Sequence, residues 1–196
     1  KMGNRRMGRK RLLSLEKRGA TLTATQVGVG AGMDAAFVRA NHYRDGIYNI
    51  VEHVFDLGTA DAAIASFAAN DVIGVDGEDG TIFTLDTSIH GYLVDLEMLI
   101  LETPTTGDDD LHIYSHSSAV NANAAGNGNT DTTIDISSAV LGESQSVAVT
   151  AAATYVTNKH FYIVSDGSTA GTYDAGILVV RTTGFALDTA AADTFV

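Results

Sequence analysis

The sequence divides by charge, and this division most constrains what the chain can fold into. The first 18 residues hold eight of the twelve basic side chains and one acid, a net charge of +7. The other 178 residues hold four bases and 23 acids, a net charge of −19. The first segment has too few apolar residues to offset the entropy lost on ordering. We therefore expect a basic arm on an acidic globular body.

The composition of the arm predicts its partner. Arginine outnumbers lysine there, and its planar guanidinium suits bidentate contacts with carboxylates or phosphates. No aromatic residue lies in residues 1–18 to stack on bases, and the negative body repels phosphate, so the pattern disfavours nucleic acid. We expect the arm to order when it binds an anionic neighbour. The predicted contact residues are Arg5, Arg6, Arg9, Lys10, Arg11, Lys17 and Arg18.

Composition also argues against several classes of protein. The chain has no cysteine, which excludes disulfides and thiolate metal sites. No apolar run approaches the roughly 20 residues of a membrane span. After Arg11 the apolar run is only Leu12 and Leu13, which is too short for the core of a secretory signal. We expect a soluble product that is made inside a cell and does not enter a membrane.

Short β-like runs separated by turn residues dominate the sequence from Ile47 onward. Two of these runs, 92–103 and 176–183, are apolar enough to indicate central strands, and Pro104 and Gly107 are expected to end the first of them. Helical patterns are few, so the sequence predicts an all-β fold, a jelly-roll-like antiparallel β-sandwich with an extended basic arm. The predicted strands are 47–57, 81–86, 92–103, 111–115, 132–136, 146–150, 160–165 and 176–183.

The pattern predicts three parts. Residues 1–19 are the basic N-terminal arm, residues 20–45 are a glycine-rich connector, and residues 46–196 are the sandwich domain. Up to residue 32 the connector consists of small, β-branched and glycine residues, which favour an extended and loosely specified conformation. A short helix is expected around residues 35–40.

Three further local predictions concern the sandwich domain. The alanine-rich stretch 59–70 favours a short helix that Asp61 would cap. The polar, low-complexity stretch between Val120 and Thr130 is typical of a mobile surface loop. The cluster DGEDG at residues 76–80 predicts a turn that begins the strand at 81–86.

The glycines near the start invite comparison with dinucleotide-binding proteins. Gly28, Gly30 and Gly32 invite it, and the first two are spaced as in the fingerprint, but Met33 stands where its third glycine is needed. Neither a preceding buried strand nor a βαβ unit is evident. A flexible connector is therefore the preferred interpretation of these glycines.

Metal ligands are not expected in this sequence. His112 and His116 lie on one face of a predicted strand but about 13 Å apart, which is too far for one ion and favours two ordinary surface or rim histidines. The aspartates at 108–110 and the turn at 76–80 lack the alternating pattern of a calcium loop, so solvated acidic turns are expected. The remaining histidines have no ligand spacing, and they are His42, His53, His90 and His160. We predict no cofactor.

Catalytic patterns are weak as well. The sequence has no GxSxG motif, and its serines have no distinguishing neighbours. Asp95 and Glu97 share one face of a predicted strand, as a glycosidase pair would, but strand alternation by itself predicts solvated acids there. We therefore do not expect an enzyme.

Two stretches resemble virion proteins of tailed bacteriophages, particularly marine ones. The first is the opening MGNRRMGRKRL, which a glycine-rich connector and a β body rich in small residues follow. The second is HFYIVSDGSTAGTYDAGILVVRTTG, residues 160–184, in which a strand, a polar turn and GTYDAG precede a final apolar strand. The resemblance implies a head decoration, or cement, protein. Such proteins sit at junctions of major capsid subunits, often as trimers, and often grip the shell with a terminal arm.

The hypothesis from the sequence is thus a structural protein of the virion. Its expected partners are the major capsid protein and copies of itself, as a homotrimer on the capsid surface, after assembly in the host cytoplasm. The alternative is a carbohydrate- or receptor-binding β module that the arm anchors to a capsid or tail. Sugar rings would then stack on tyrosines, for which core packing is the preferred interpretation: Tyr92, Tyr114, Tyr155, Tyr162 and Tyr173.

Overall fold

The structure is a computed structural model that describes residues 20–59, 63–125, 134–148, 158–167 and 169–186. Within these ranges the chain forms twelve strands and three helices of four residues each. Every strand pairing among them is antiparallel. The predicted all-β antiparallel fold is confirmed, whereas the jelly-roll connectivity stays a prediction. The basic arm, with all seven of its predicted contact residues, lies outside the described residues.

Each of the eight predicted strands corresponds to a strand of the structure, although the ends differ by a few residues. The elements are β1 (Ala20–Leu22), α1 (Ala24–Val27), α2 (Ala31–Asp34), β2 (Phe37–Asp45), β3 (Tyr48–Asp56), β4 (Ala65–Ser66), β5 (Thr81–Thr84), α3 (Thr87–His90), β6 (Tyr92–Thr105), β7 (Asp110–His116), β8 (Ile134–Ser137), β9 (Ser144–Ala148), β10 (His160–Ser165), β11 (Gly171–Thr172) and β12 (Ala175–Phe185).

The strands form three sheets. The largest has six strands in the order β1-β2-β3-β12-β6-β9, and the second has four in the order β5-β10-β7-β8. The short strands β11 and β4 pair with each other and form the third sheet. The last strand, β12, lies between β3 and β6, so its predicted central position is confirmed.

The inner faces of the two larger sheets share one hydrophobic core. β12 shows why: its residues alternate, with Leu178 and Val180 fully buried and Val179 and Arg181 on the other side. Burial of each large apolar side chain stabilises the fold by about 1.5–3 kcal/mol. The core takes Phe55, Met98, Ile100, Leu178 and Val180 from the six-stranded sheet, and Phe83, Leu111, Ile113, Ile136, Phe161 and Ile163 from the four-stranded sheet.

Residues 20–45 belong to the folded body, so the expectation of a loosely specified conformation up to residue 32 is wrong. β1 and β2 extend the six-stranded sheet beyond β3. Val27 and Met33, from the two intervening helices, are buried. α1 begins with a capping box, in which the side chains of Thr23 and Gln26 each accept from the other residue's main-chain N–H. Local capping and burial thus order a glycine-rich segment.

The predicted helix around residues 35–40 is also wrong, because most of this stretch lies in β2. Phe37 is opposite Phe55 and Ala40 is opposite His53 in the register with β3. The rings of Phe37 and Phe55 meet edge to face, with centroids 5.8 Å apart. Pairing with a neighbouring strand and aromatic packing therefore outweigh the weak helical preference of the alanines.

Close packing, rather than flexibility, explains the glycines of this segment. Gly28 ends α1 with a φ of 70°, in the left-handed region that glycine adopts without strain. The N–H of Gly30 donates to the carbonyl of Thr81, and that of Gly32 to the carbonyl of Asp79, both at 2.8 Å. A Cβ on Gly30 would lie 2.4 Å from the carbonyl oxygen of Asp79. The glycines thus let two backbones approach each other.

Strand β6 passes the expected stop at Pro104. It runs to Thr105, which pairs with Ala175 in β12. The register between the two strands shifts between Ala175 and Ile177. Proline is tolerated beside such an irregularity because the ladder hydrogen bond that its missing N–H would make is not required there.

Two other local predictions differ from the structure where residues are described. Residues 63–70 contain the short strand β4 and no helix, while Asp61 lies outside the described residues. The first part of the predicted mobile loop is pinned to the segment before β5: Asn123 and Val72 are hydrogen-bonded at 3.0 Å, and Ala122 is buried. Residues 126–130 of that loop lie outside the described residues.

Candidate functional site

The face of the six-stranded sheet that points away from the core, here called the outer face, is the candidate functional site. Apart from Val54, the side chains that alternation and register place there are half-buried or exposed. The four-stranded sheet packs on the opposite side. The charged residues of the outer face are Arg39, Asp45, Glu52, Asp56, Asp95, Glu97, Glu102 and Arg181. Six acids and two bases make the outer face anionic.

Arg181 organises the middle of the outer face. In β12 it is opposite Glu52 on one side and Glu97 on the other. Its Nη1 donates to Glu97 Oε2 at 2.7 Å, while Nε and Nη2 donate to Glu52 Oε1 at 3.0 and 2.8 Å. Tyr43 on β2 also donates to Glu52 Oε1, at 3.3 Å. One guanidinium therefore links four strands across the sheet.

The electrostatics of this cluster follow from its partial burial. Burial by itself lowers the pKa of Arg181, but the hydrogen bond to Glu52 and the charge of Glu97 outweigh it and raise the pKa. Burial raises the pKa of Asp95, the charge of Glu97 raises it further, and Arg181 offsets part of the rise. Arg181 thus stays charged, and it neutralises only part of the negative charge around it.

Aromatic side chains form a patch at one end of the outer face. The rings of Tyr48 and Phe185 are stacked, with centroids 5.2 Å apart. Tyr92 is opposite Phe185 in the register, and the exposed fractions of Tyr48, Tyr92 and Phe185 are 37%, 39% and 42%. We call these three residues the aromatic patch. Exposed aromatic rings are typical of surfaces that bind a partner.

The two acids for which the sequence favoured solvated positions over a glycosidase pair lie on the outer face, but they are not equivalent. Asp95 and Glu97 share the face, as alternation predicts. Glu97 is held by Arg181 at 2.7 Å, so it already has a cationic partner. Asp95 and Glu97 therefore contribute to the negative charge of the outer face.

The tyrosines proposed for sugar stacking are mostly in the interior. Tyr114, Tyr162 and Tyr173 are 7%, 0% and 3% exposed, which confirms core packing for these three. Tyr155 lies outside the described residues. Among the four described tyrosines of the set, only Tyr92 is exposed, as part of the aromatic patch.

His112 does not lie on the surface as expected. It is 7% exposed, and its Nε2 lies 3.1 Å from Asp135 Oδ1 and 3.5 Å from Asp166 Oδ2. Its Nδ1 contacts the hydroxyl of Tyr114 at 3.2 Å, and burial together with the two carboxylates raises the pKa of Tyr114. His116, at the end of the same strand, contacts the main chain of Ser118. The two histidines therefore have separate environments.

Other polar groups are buried without a strong signal in the sequence. His53 occupies an inward position between Val51 and Phe55, and alternation along β3 is the one pattern that predicts its burial. Asp108, expected in a solvated turn, is 2% exposed. Burial raises its pKa, as do the charges of Asp110 and Asp109.

Metal-binding groups, membrane-spanning helices and similarity to known proteins bear on the function as well. Among the described residues, no group of three or more histidine, aspartate or glutamate side chains is placed to hold a metal ion. None of the helices in the described ranges is long and apolar enough to span a membrane. Comparisons with protein-family models, with curated proteins and with solved structures found no match for this chain. The outer face and the charge division therefore carry the functional argument.

Proposed function

We propose that this chain is a structural protein of a tailed-bacteriophage virion, a head decoration or cement subunit that binds the major capsid shell through its N-terminal arm. The observation that carries the proposal is the charge division between residues 1–18, at +7, and the rest of the chain, at −19. A segment with this composition needs an anionic partner to become ordered. The negative body keeps free subunits soluble until they dock.

The shape of the body supports this role. Six strands spaced about 4.8 Å apart, of which β2 and β3 have nine residues, β12 eleven and β6 fourteen, give the outer face an area of roughly 800 Å². A stable protein interface buries about 800 Å² on each partner. The body thus offers a broad, accessible surface suited to assembly, and the proposed subunit would form a homotrimer on the capsid surface.

Binding to the particle tests the proposal directly. The full chain is added to purified capsids that lack it, and bound protein is measured after sedimentation. Replacing the seven predicted contact bases by glutamine is expected to abolish binding, because the charge-assisted contacts are lost. Circular dichroism checks that the body of the variant is folded.

A matched variant separates charge from geometry. Changing Arg5, Arg6, Arg9, Arg11 and Arg18 to lysine keeps the net charge but removes the bidentate fork. We expect weakened binding with a similar decrease as salt is raised. Unimpaired binding of the glutamine variant, with its body folded, overturns the proposal.

The aromatic patch favours a second candidate function, a carbohydrate- or receptor-binding module. Exposed Tyr48, Tyr92 and Phe185 provide ring faces on which sugars stack. A glycan array with the wild-type chain and with a Tyr48→Ala, Tyr92→Ala double variant tests it. Binding that the double variant loses supports this function, and an array with no bound glycan removes it.

A further inference from the structure

We propose that the outer face of one copy is the landing site for the basic arm of a second copy of this chain. The inference rests on the proposed function and concerns the subunit before it docks: it names the anionic surface that holds the arm in the free oligomer, from which the arm transfers to the capsid shell. The occupant is residues 1–18 of a neighbouring subunit. The first argument is charge: six carboxylates and two guanidinium groups face outward on the sheet, and the arm carries +7.

The position of these carboxylates suits an extended cationic chain. Asp95 and Glu97 on β6 and Glu52 on β3 lie on either side of Arg181. Arg181 already uses three donor nitrogens on Glu52 and Glu97, and each carboxylate retains acceptor sites for a further cation. Arginines suit such surfaces because each guanidinium presents five donors in a fixed plane.

Apolar contacts provide a second, independent match. Between its charges the outer face exposes parts of Ile50, Leu99, Ile177 and Val179, and Leu101 at its margin is 46% exposed. The arm interleaves its bases with apolar side chains, namely Met2, Met7, Leu12, Leu13 and Leu15. A segment that alternates cations with methionine and leucine can therefore pack against this surface over its length.

The direction of the chain at Ala20 and the length of the segment before it allow the arm to reach a neighbouring copy. β1 is antiparallel to β2, with Ala20 opposite His42 and Leu22 opposite Ala40. Followed backwards from Ala20, the chain is directed along β2 toward the β2–β3 hairpin and the end of its own sheet. The 19 preceding residues span up to about 65 Å when extended, more than twice the roughly 24 Å width of the sheet.

Such a contact joins two different surfaces, the arm of one subunit and the outer face of the next. Contacts of this type close into a ring when the rotation between subunits is a simple fraction of a turn. A ring of three copies agrees with the proposed homotrimer. In that ring each arm ties one subunit to the next until the oligomer docks on the capsid.

The absence of cysteine from this chain permits a clean test in solution, without capsids. Two full-length variants are mixed, one with Ser14→Cys in the arm and one with Ser146→Cys on the outer face. Ser146 is exposed and lies opposite Glu97. Under mild oxidation we expect a disulfide between the two chains, identified by mass spectrometry. It should decrease strongly in about 1 M salt, where the screening length is about 3 Å.

Position and charge have matched controls. Ser117→Cys, on an exposed turn after β7, replaces Ser146→Cys and is expected to cross-link several-fold less. Adding Asp95→Asn and Glu102→Gln to the Ser146→Cys chain should lower the yield several-fold. Adding Glu78→Gln and Asp109→Asn, at exposed turns off the outer face, should leave it unchanged.

Three results would overturn the inference. They are equal yields at Ser146 and Ser117, no effect of the outer-face substitutions, and an intrachain disulfide that dominates in a chain carrying both Ser14→Cys and Ser146→Cys at every concentration. The last result would place the arm on its own sheet. Because no capsid is present, these failures are distinct from a failure of the particle-binding test, which concerns the proposed function.

Discussion

His53 and His90 lie with their Nε2 atoms 3.4 Å apart in the interior, on β3 and at the end of α3. Both are fully buried, and the ring of Phe83 stacks on His53 with centroids 4.7 Å apart. One imidazole must donate and the other accept, so the two rings cannot both be protonated. His53 Nδ1 and the buried Nε2 of His42 have no hydrogen-bond partner among the described residues.

The first prediction is that acid destabilises the fold through this pair. Burial lowers the pKa of His90 from 6.5 to about 4, with Asp86 opposing and His42 reinforcing the change. Burial and the charge of His90 lower the pKa of His53 well below 6.5. The unfolded chain therefore binds more protons below pH 6.5, and stability present above that pH is lost toward pH 4. Urea unfolding should show a loss of about 1.4 kcal/mol per pH unit for each histidine.

Substitutions in the same stack isolate the titration. In a His53→Leu, His90→Asn double variant the slope between pH 6.5 and 4 should shrink, whatever the stability at pH 7. Phe161→Leu, next to Phe83 in the stack, should lower stability at every pH and keep the wild-type slope. An unchanged slope in the double variant would contradict the assignment.

The second prediction concerns Arg181. Arg181→Met removes the cation between Glu52 and Glu97 and leaves their like charges close together. Because the guanidinium is 38% exposed, solvent screens the interaction, and we expect a loss of about 1 kcal/mol at low salt that diminishes at high salt. Adding Glu52→Gln and Glu97→Gln should restore most of it. Equal losses at low and high salt would argue against an electrostatic role.

The third prediction tests the packing of the glycine-rich segment. Gly30→Ala places a methyl group 2.4 Å from the carbonyl oxygen of Asp79 and 2.5 Å from its Cγ. The backbones must separate, so the free energy of unfolding should fall by about 1–3 kcal/mol. Gly46→Asn is the control: the site is open and has a φ of 63°, which asparagine tolerates, so a small effect is expected. A neutral Gly30→Ala would show that the segment is loosely packed after all.

Strand positions were predictable from sequence because their signals are local. The run that became β12 alternates between buried and outward residues, and no turn residue interrupts it until Gly184. The glycine-rich segment before β2 misleads for a physical reason. Its glycines look flexible along the chain, yet Gly30 and Gly32 are ordered by the turn around Asp79, about 50 residues away. Contacts of that range leave no local pattern.

The candidate site shows the same limit. Alternation places Asp95 and Glu97 on one face, and the structure agrees. That Arg181 lies between Glu97 and Glu52 depends on strand order, which no spacing in the sequence encodes. The meeting of His53 with His90 likewise depends on how α3 packs against β3. The sequence thus predicts which side chains share one face of a strand, but it does not predict which distant elements become neighbours.

The last prediction compares one substitution at two tyrosines. Tyr173 is 3% exposed, and its hydroxyl donates to the main-chain carbonyl of Asp108 at 2.8 Å. Burial raises the pKa of Tyr173, so the phenol keeps its proton and remains a donor. Tyr173→Phe leaves a buried carbonyl without this donor and should cost about 1–3 kcal/mol in urea unfolding. Tyr43→Phe removes a hydroxyl that donates to the half-buried carboxylate of Glu52, which water can also satisfy, so it should cost about 0.5 kcal/mol or less. Equal costs at the two sites would mean that the carbonyl of Asp108 finds another donor once the hydroxyl is gone.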